Sequence, residues 1–144
     1  MLEFKWVLHI SALIMLIPTG GRLTCQSSLE GEARRVREAW LAHDMRSVVP
    51  GPDPVELRLP SSEPARPLVP AQAVALLQSF VEETSEVDFS FRTIRQSSEE
   101  QGYVEAVRRY VVRRTEDELR QTVFMAFRKV ESKWRLTELR VLPE

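Results

Sequence analysis

Hydrophobic positions follow a helical period in two stretches before Ser85 and a period of two after it. Leu29, Ala33, Val36 and Trp40 fall at i, i+4, i+7 and i+11, a narrow apolar stripe whose other faces carry Glu32, Arg34, Arg35 and Glu38. This predicts a helix that stops near His43. Ser27-Ser28-Leu29-Glu30 has the spacing of a capping box, with Ser27 as the cap and Glu30 reaching back to it. A second helix is predicted to open at Pro70, because Ala73, Leu76, Leu77, Phe80 and Val81 sit at i, i+3, i+4, i+7 and i+8. Burying Leu76, Leu77 and Phe80 against a sheet would contribute about 1.5–3 kcal/mol each.

After Ser85 the alternation is that of strands. Val87, Phe89, Phe91 and Thr93 interleave with Asp88, Ser90 and Arg92, and Ser97 to Gly102 supply a polar turn. Tyr103 to Arg114 and Leu119 to Val130 form two longer β-rich runs around Thr115-Glu116-Asp117-Glu118; Trp134 to Leu142 follows the turn at Glu131-Ser132-Lys133. In Val107 to Val112 and Val123 to Phe127 apolar residues occupy both faces, as in central strands that are covered on each side or carry a bulge. Seven of the nine prolines lie from Pro50 to Pro70, which excludes a helix or a central strand there. Within that stretch Val55-Glu56-Leu57-Arg58-Leu59 alternates, predicting a short edge strand.

The order helix, strand, helix and four strands specifies an α+β domain with two helices packed on a curved antiparallel sheet. That order, over Leu29 to Pro143, is similar to the cone-shaped, cystatin-like fold of the nuclear transport factor 2-like superfamily. The segments AQAVALLQSFVEE and KWRLTELRVLPE resemble, more closely, the second helix and terminal strand of a small bacterial secreted family called domain of unknown function 4783. The resemblance implies one cone-type domain over residues 26–144 and carries no specific chemistry, since the superfamily hosts many functions on one scaffold.

Trp6 to Pro18 is an apolar run preceded by Lys5 and followed by Thr19, Gly20 and Gly21, the layout of a secretory signal peptide over residues 1–25. At about 13 residues the run is shorter than the roughly 20 a spanning helix needs. The expectation is therefore a secreted or periplasmic protein, cut after Gly21 or Cys25. The alternatives are an uncleaved anchor, or a lipid on Cys25, although Arg22, Leu23 and Thr24 do not resemble a lipidation site. With 20 basic and 21 acidic residues the chain has a net charge of -1, too balanced for a nucleic-acid surface. One cysteine and two histidines, His9 and His43, are too few for a His/Cys metal site, so no metal and no cofactor are expected.

Enzymes of this fold type place a tuned base and a donor in the mouth of the cone. Neighbouring His43 and Asp44 point apart at a helix end, which predicts a polar terminus rather than a dyad. Asp88 is predicted to face solvent, opposite Phe89 and Phe91, and Tyr103 and Tyr110 differ in parity. Arg34-Arg35, Arg108-Arg109 and Arg113-Arg114 do not read as an anion or nucleic-acid surface, because strand neighbours point to opposite faces and Glu105, Glu116 and Glu118 are near enough to pair with them. Glu116-Asp117-Glu118 reads as a solvated hairpin tip rather than a calcium loop. Phe89, Phe91, Tyr103, Tyr110, Met125 and Phe127 are the candidates to line a pocket if the cone is not filled. The expectation is a non-catalytic binding or interaction module for a protein or a small apolar ligand, with a homodimer through the sheet as a further arrangement. The alternative is an isomerase-type or cyclase-type enzyme, or a carrier, with an apolar cone pocket.

Overall fold

In the computed structural model, which describes residues 27–60 and 66–143, Ser28 starts the first helix, α1 (Leu29–Leu41), by accepting the Gly31 N–H at 3.0 Å. The predicted signal segment and Cys25 lie outside the described residues. The cap is thus one residue later than the sequence spacing suggested. Ser27 instead donates its hydroxyl to the Ser132 carbonyl, and Gly31, not an acidic residue, occupies the third helical position. The predicted stripe Leu29, Ala33, Val36 and Trp40 is buried.

A short helix that periodicity did not reveal, α2 (Met45–Val48), follows at once, capped by Asp44 and burying Met45 and Val48. Arg35 on α1 ties it down, donating to the Ser47 carbonyl and to both carboxylate oxygens of Glu32. Next come β1 (Val55–Arg58) and a second short strand, β2 (Arg66–Leu68), then α3 (Pro70–Glu82) with proline in its first turn. The remaining strands are β3 (Thr84–Gln96), β4 (Gln101–Val112), β5 (Glu118–Val130) and β6 (Lys133–Pro143).

The sheet runs β2-β1-β6-β5-β4-β3. It is mixed: β1 lies parallel to β6, while every other pair is antiparallel, which corrects the all-antiparallel sheet expected. Nor is β1 at the edge. Pro54 and Pro60 bracket it without entering it, so its amides are free to pair on both sides, and the edge role passes to β2, which contains Pro67.

The three helices cover the inner face of the sheet. Gly102 lets α1 approach closely, since a Cβ there would run into the Leu29 side chain. Register slips at Val87 and Arg92 in β3, and at Thr137 in β6, insert single residues that bend the sheet around this core. The slip in β3 puts Val87 outside, 47 % exposed, although simple alternation groups it with Phe89. Glu131 and Ser132 turn β5 into β6 with φ of 50° and 66°, the two left-handed residues of a tight hairpin.

On α3 the buried line is Ala73, Leu77 and Val81, with Val74 and Phe80 half-buried beside it. Leu76 is 47 % exposed, contrary to expectation. The helix touches its neighbours along an i, i+4, i+8 line, and Leu76 stands about 100° around the axis from Leu77. Urea unfolding should therefore separate the two leucines: Leu77→Ala should cost about 2–5 kcal/mol and Leu76→Ala less than about 0.5 kcal/mol. Equal losses would contradict the orientation of α3.

Candidate functional site

Parity along β4 sends Val104, Ala106, Arg108 and Tyr110 to the inner face. Arg108 is therefore on the covered face, and its side chain is fully buried. Its neighbour Arg109 points outward, 2.7 Å from Glu118 and 3.8 Å from Asp88, as a surface arginine does. The slip at Val87 turns Glu86 inward, opposite Tyr110, with only 1 % of its side chain exposed.

A buried charge pair is tolerated only when each donor and lone pair finds a partner. Here they largely do. Arg108 donates through Nε to Glu86 Oε2 at 3.2 Å and through Nη2 to Glu86 Oε1, a two-point clamp on one carboxylate. Nη2 also reaches Thr84 Oγ1 at 3.0 Å, and Nη1 reaches Gln121 Oε1 at 3.2 Å. Thr84 passes its own hydrogen to the Val81 carbonyl. The guanidinium lies 4.1 Å from the ring centre of Tyr110, 5.1 Å from Phe80 and 5.5 Å from Trp40, so aromatic faces complete its surroundings.

His43 approaches this cluster from the end of α1. The helix closes with Asp44 N–H on the Ala39 carbonyl and His43 N–H on the Trp40 carbonyl, both at 2.9 Å. In that closing motif the residue after the cap is left-handed, a position where glycine is usual. His43 holds it, at φ 55°. The cost of such a conformation for a residue with a Cβ is about 1–2 kcal/mol. The consequence is that the ring turns toward the cone, Nε2 lying 3.7 Å from Glu86 Oε1. That nitrogen is buried and has no hydrogen-bond partner; Trp40 Nε1 is in the same condition nearby in the core. The polar helix terminus expected for His43 is thus a strained histidine facing a buried carboxylate.

The remaining 23 % of the His43 side chain that is exposed lies in a cleft of about 750 Å³. One wall is the α1–α2 turn, α2 and the segment through Val49 and Pro50; the other is the first two turns of α3, from Pro70 to Gln78. Asp44 lies on its rim with its oxygens engaged by the Ser47 amide at 3.3 Å and hydroxyl at 2.6 Å. These bonds, the hydroxyl's first, hold its carboxyl below the usual range.

None of the six residues proposed from sequence to line a pocket lines this cleft. Phe89, Tyr110, Met125 and Phe127 are buried on the inner face, and Phe91 packs edge-on to Phe89 at 6.1 Å. Tyr103 is on the outer face, stacked on Phe124 at 5.8 Å. Asp88 is outside too, its carboxyl held low chiefly by the Ser90 hydroxyl. Among the described residues no group of three or more His, Cys, Asp or Glu is arranged to hold a metal ion, and no helix is long and apolar enough to cross a membrane.

No protein-family model matches the sequence, and comparison with curated proteins gave no match. Solved structures do match the shape. A domain of unknown function 4783 family protein from Bacteroides uniformis superposes with a TM-score of 0.65 at 17 % identity, over 77 % of this chain and 95 % of that one. A ketosteroid isomerase-like protein from Erwinia carotovora gives 0.63 at 16 % identity, over 78 % and 91 %. A domain of unknown function with a cystatin-like fold from Nostoc punctiforme gives 0.64 at 12 %, over 83 % and 76 %. The chain has the nuclear transport factor 2-like, cystatin-like cone fold, as the order of its elements predicted.

Removing either partner of the buried pair should be far more damaging than removing both. Glu86→Gln should destabilise by about 3–5 kcal/mol by stranding Arg108, while Glu86→Leu combined with Arg108→Met should recover most of that loss. A double-mutant cycle by denaturant unfolding measures it; additive losses would mean that the two charges are not coupled.

Proposed function

We propose that this protein is a non-catalytic binding module and that the cleft between the α1–α2 turn and α3 is its ligand site. The observation that supports this reading is the condition of Glu86. A general base must be free to take a proton, and both oxygens of this carboxylate are occupied by Arg108. The cone that encloses the reacting atoms in an enzyme of this shape is filled here by Trp40, Phe89, Arg108, Met125 and Phe127. What stays open is a cleft whose apolar walls and few polar groups suit holding a molecule rather than transforming it.

A fragment library titrated into isotopically labelled protein should shift amide signals at Val49, Val74 and Gln78, and Val74→Trp should abolish those shifts while leaving the unfolding midpoint close to that of the parent. Shifts confined to other surfaces, or turnover of a panel of carbonyl substrates above background, would replace this reading with another.

The same reading includes export through residues 1–25 and self-association through the outer sheet face. In support of the second, Tyr103, Phe124 and Leu142 form a half-exposed apolar strip on that face, rimmed by Glu105 and Arg140, whose charges are paired within the chain with Arg92 and Glu138. Protein recovered from an extracytoplasmic fraction should begin at Arg22 or Gln26 by N-terminal sequencing. It should sediment as a dimer that Tyr103→Glu dissociates; a full-length cytoplasmic monomer would refute both parts.

A further inference from the structure

We infer that the cleft takes an uncharged molecule with a hydroxyl group on an apolar body, the hydroxyl donating to His43 Nδ1 and the body lying against Val49, Pro50, Pro70 and Val74. This rests on the reading of the cleft as the ligand site and adds the class of ligand. The charges around the cleft cancel. Asp44 and Arg46 stand on the same rim with opposite signs. The Ser47 hydroxyl and then its amide hold the Asp44 carboxyl below the usual range, and the charge of Arg46 adds to their effect. Beneath them Arg108 neutralises Glu86. An ion of either sign would leave water here with no counter-charge to replace its hydration, a cost that an uncharged molecule does not meet.

His43 supplies the hydrogen-bonding selectivity. Its Nε2 faces Glu86 Oε1 at 3.7 Å. The two-point clamp of Arg108 keeps Glu86 a carboxylate, which only accepts. That oxygen repels a lone pair on Nε2 and attracts an N–H, so in the neutral ring the one hydrogen sits on Nε2 and Nδ1 holds the lone pair. Of the two ring nitrogens Nε2 alone is both buried and unpartnered; Nδ1, to which no described group donates, belongs to the open part of the ring that lines the cleft. An acceptor in that place selects a donor. A hydroxyl brings the hydrogen with a single polar atom, whereas an amide would also bring a carbonyl in need of its own partner. The opposite wall has little to offer such a carbonyl: α3 turns Ala71, Val74, Ala75 and Gln78 to the cleft, one helix face with three apolar side chains and one neutral amide. The left-handed backbone of His43 fits this role. A glycine would close α1 with less strain, and a strained residue held by its surroundings points to a function for its side chain.

The probe is 2-naphthylmethanol, compared with its methyl ether, which lacks the hydroxyl hydrogen, and with naphthalene-2-carboxylate and 2-naphthylmethylammonium, which put opposite charges on the same rings. Each is titrated into the folded protein at about pH 8 and followed by calorimetry and amide chemical shifts. The alcohol should bind in the cleft about three- to tenfold more tightly than the ether and about tenfold or more tightly than either ion. Two-bond proton–nitrogen spectra of the histidine ring should place the hydrogen of His43 on Nε2 in the free protein, and the Nδ1 signal should move on adding the alcohol but not the ether. His43→Asn, which suits a left-handed backbone and withdraws the ring, should bring the alcohol down to the affinity of the ether, while a histidine with a purely structural role would weaken both alike. A hydrogen on Nδ1 in the free protein, or an ion binding in the cleft as tightly as the alcohol, would overturn the class of ligand and leave the cleft standing as a site. No probe perturbing the cleft residues would overturn both.

Discussion

An arginine and a glutamate share the bottom of the cone, shielded from water on every side, and much of the architecture near them is the condition for that to be tolerable. The Coulomb attraction of a buried pair does not by itself outweigh the loss of hydration. The balance is restored by hydrogen bonds from Arg108 to Thr84 and Gln121 and by three aromatic faces, contributed by α1, α3 and β4 itself. Helices and sheet therefore meet at one guanidinium. Shifting any of these elements by a residue would leave a buried donor without its partner, so the pair sets register as much as it adds stability.

The slip in β3 is the device that makes the pair reachable. Strand alternation alone cannot place Glu86, Phe89 and Phe91 on the same face, because Glu86 differs from the other two in parity. One inserted residue, Val87, reverses the phase, so that the first turn of the strand presents a carboxylate to the core and the rest presents aromatic rings. Arg37 of α1 donates to the Phe89 carbonyl at 2.7 Å, holding the helix against the strand just past the irregularity. Curvature of the sheet and chemistry of the core thus have one cause.

Between the core and solvent stands His43, and its position explains why the fold alone is a poor guide to function. Similar cones include a ketosteroid isomerase-like protein and domains of unknown function, at identities of 12–17 % that speak for shape only. In this chain the buried carboxylate of Glu86 is clamped, the inner face of the sheet carries packed core side chains, and a cleft lies to the side, against α3. That combination is what the proposed binding role rests on, and it leaves the strained histidine between a buried carboxylate and the cleft.

The sequence by itself determined the elements whose signals are local. The stripe of α1, the proline that opens α3, the four long strands and the hairpin at Glu131-Ser132 all follow from period and turn chemistry over a few neighbouring residues, and their order was enough to indicate the cone. Arg108 was also legible in principle, as a charged residue in phase with Val104, Ala106 and Tyr110, but a strand's parity does not say which face is covered. Only the tertiary structure decided the rest: that β1 pairs on both sides and runs parallel to β6, that Leu76 stays outside while Leu77 goes in, that Val87 drops out of phase, and that the His43 ring faces Glu86. Each depends on a neighbour distant in sequence, β6 for β1, the sheet for α3, β4 for the slip in β3 and Glu86 for the histidine. Backbone pairing and side-chain burial are settled by what arrives on the other side, and a local pattern does not contain that information.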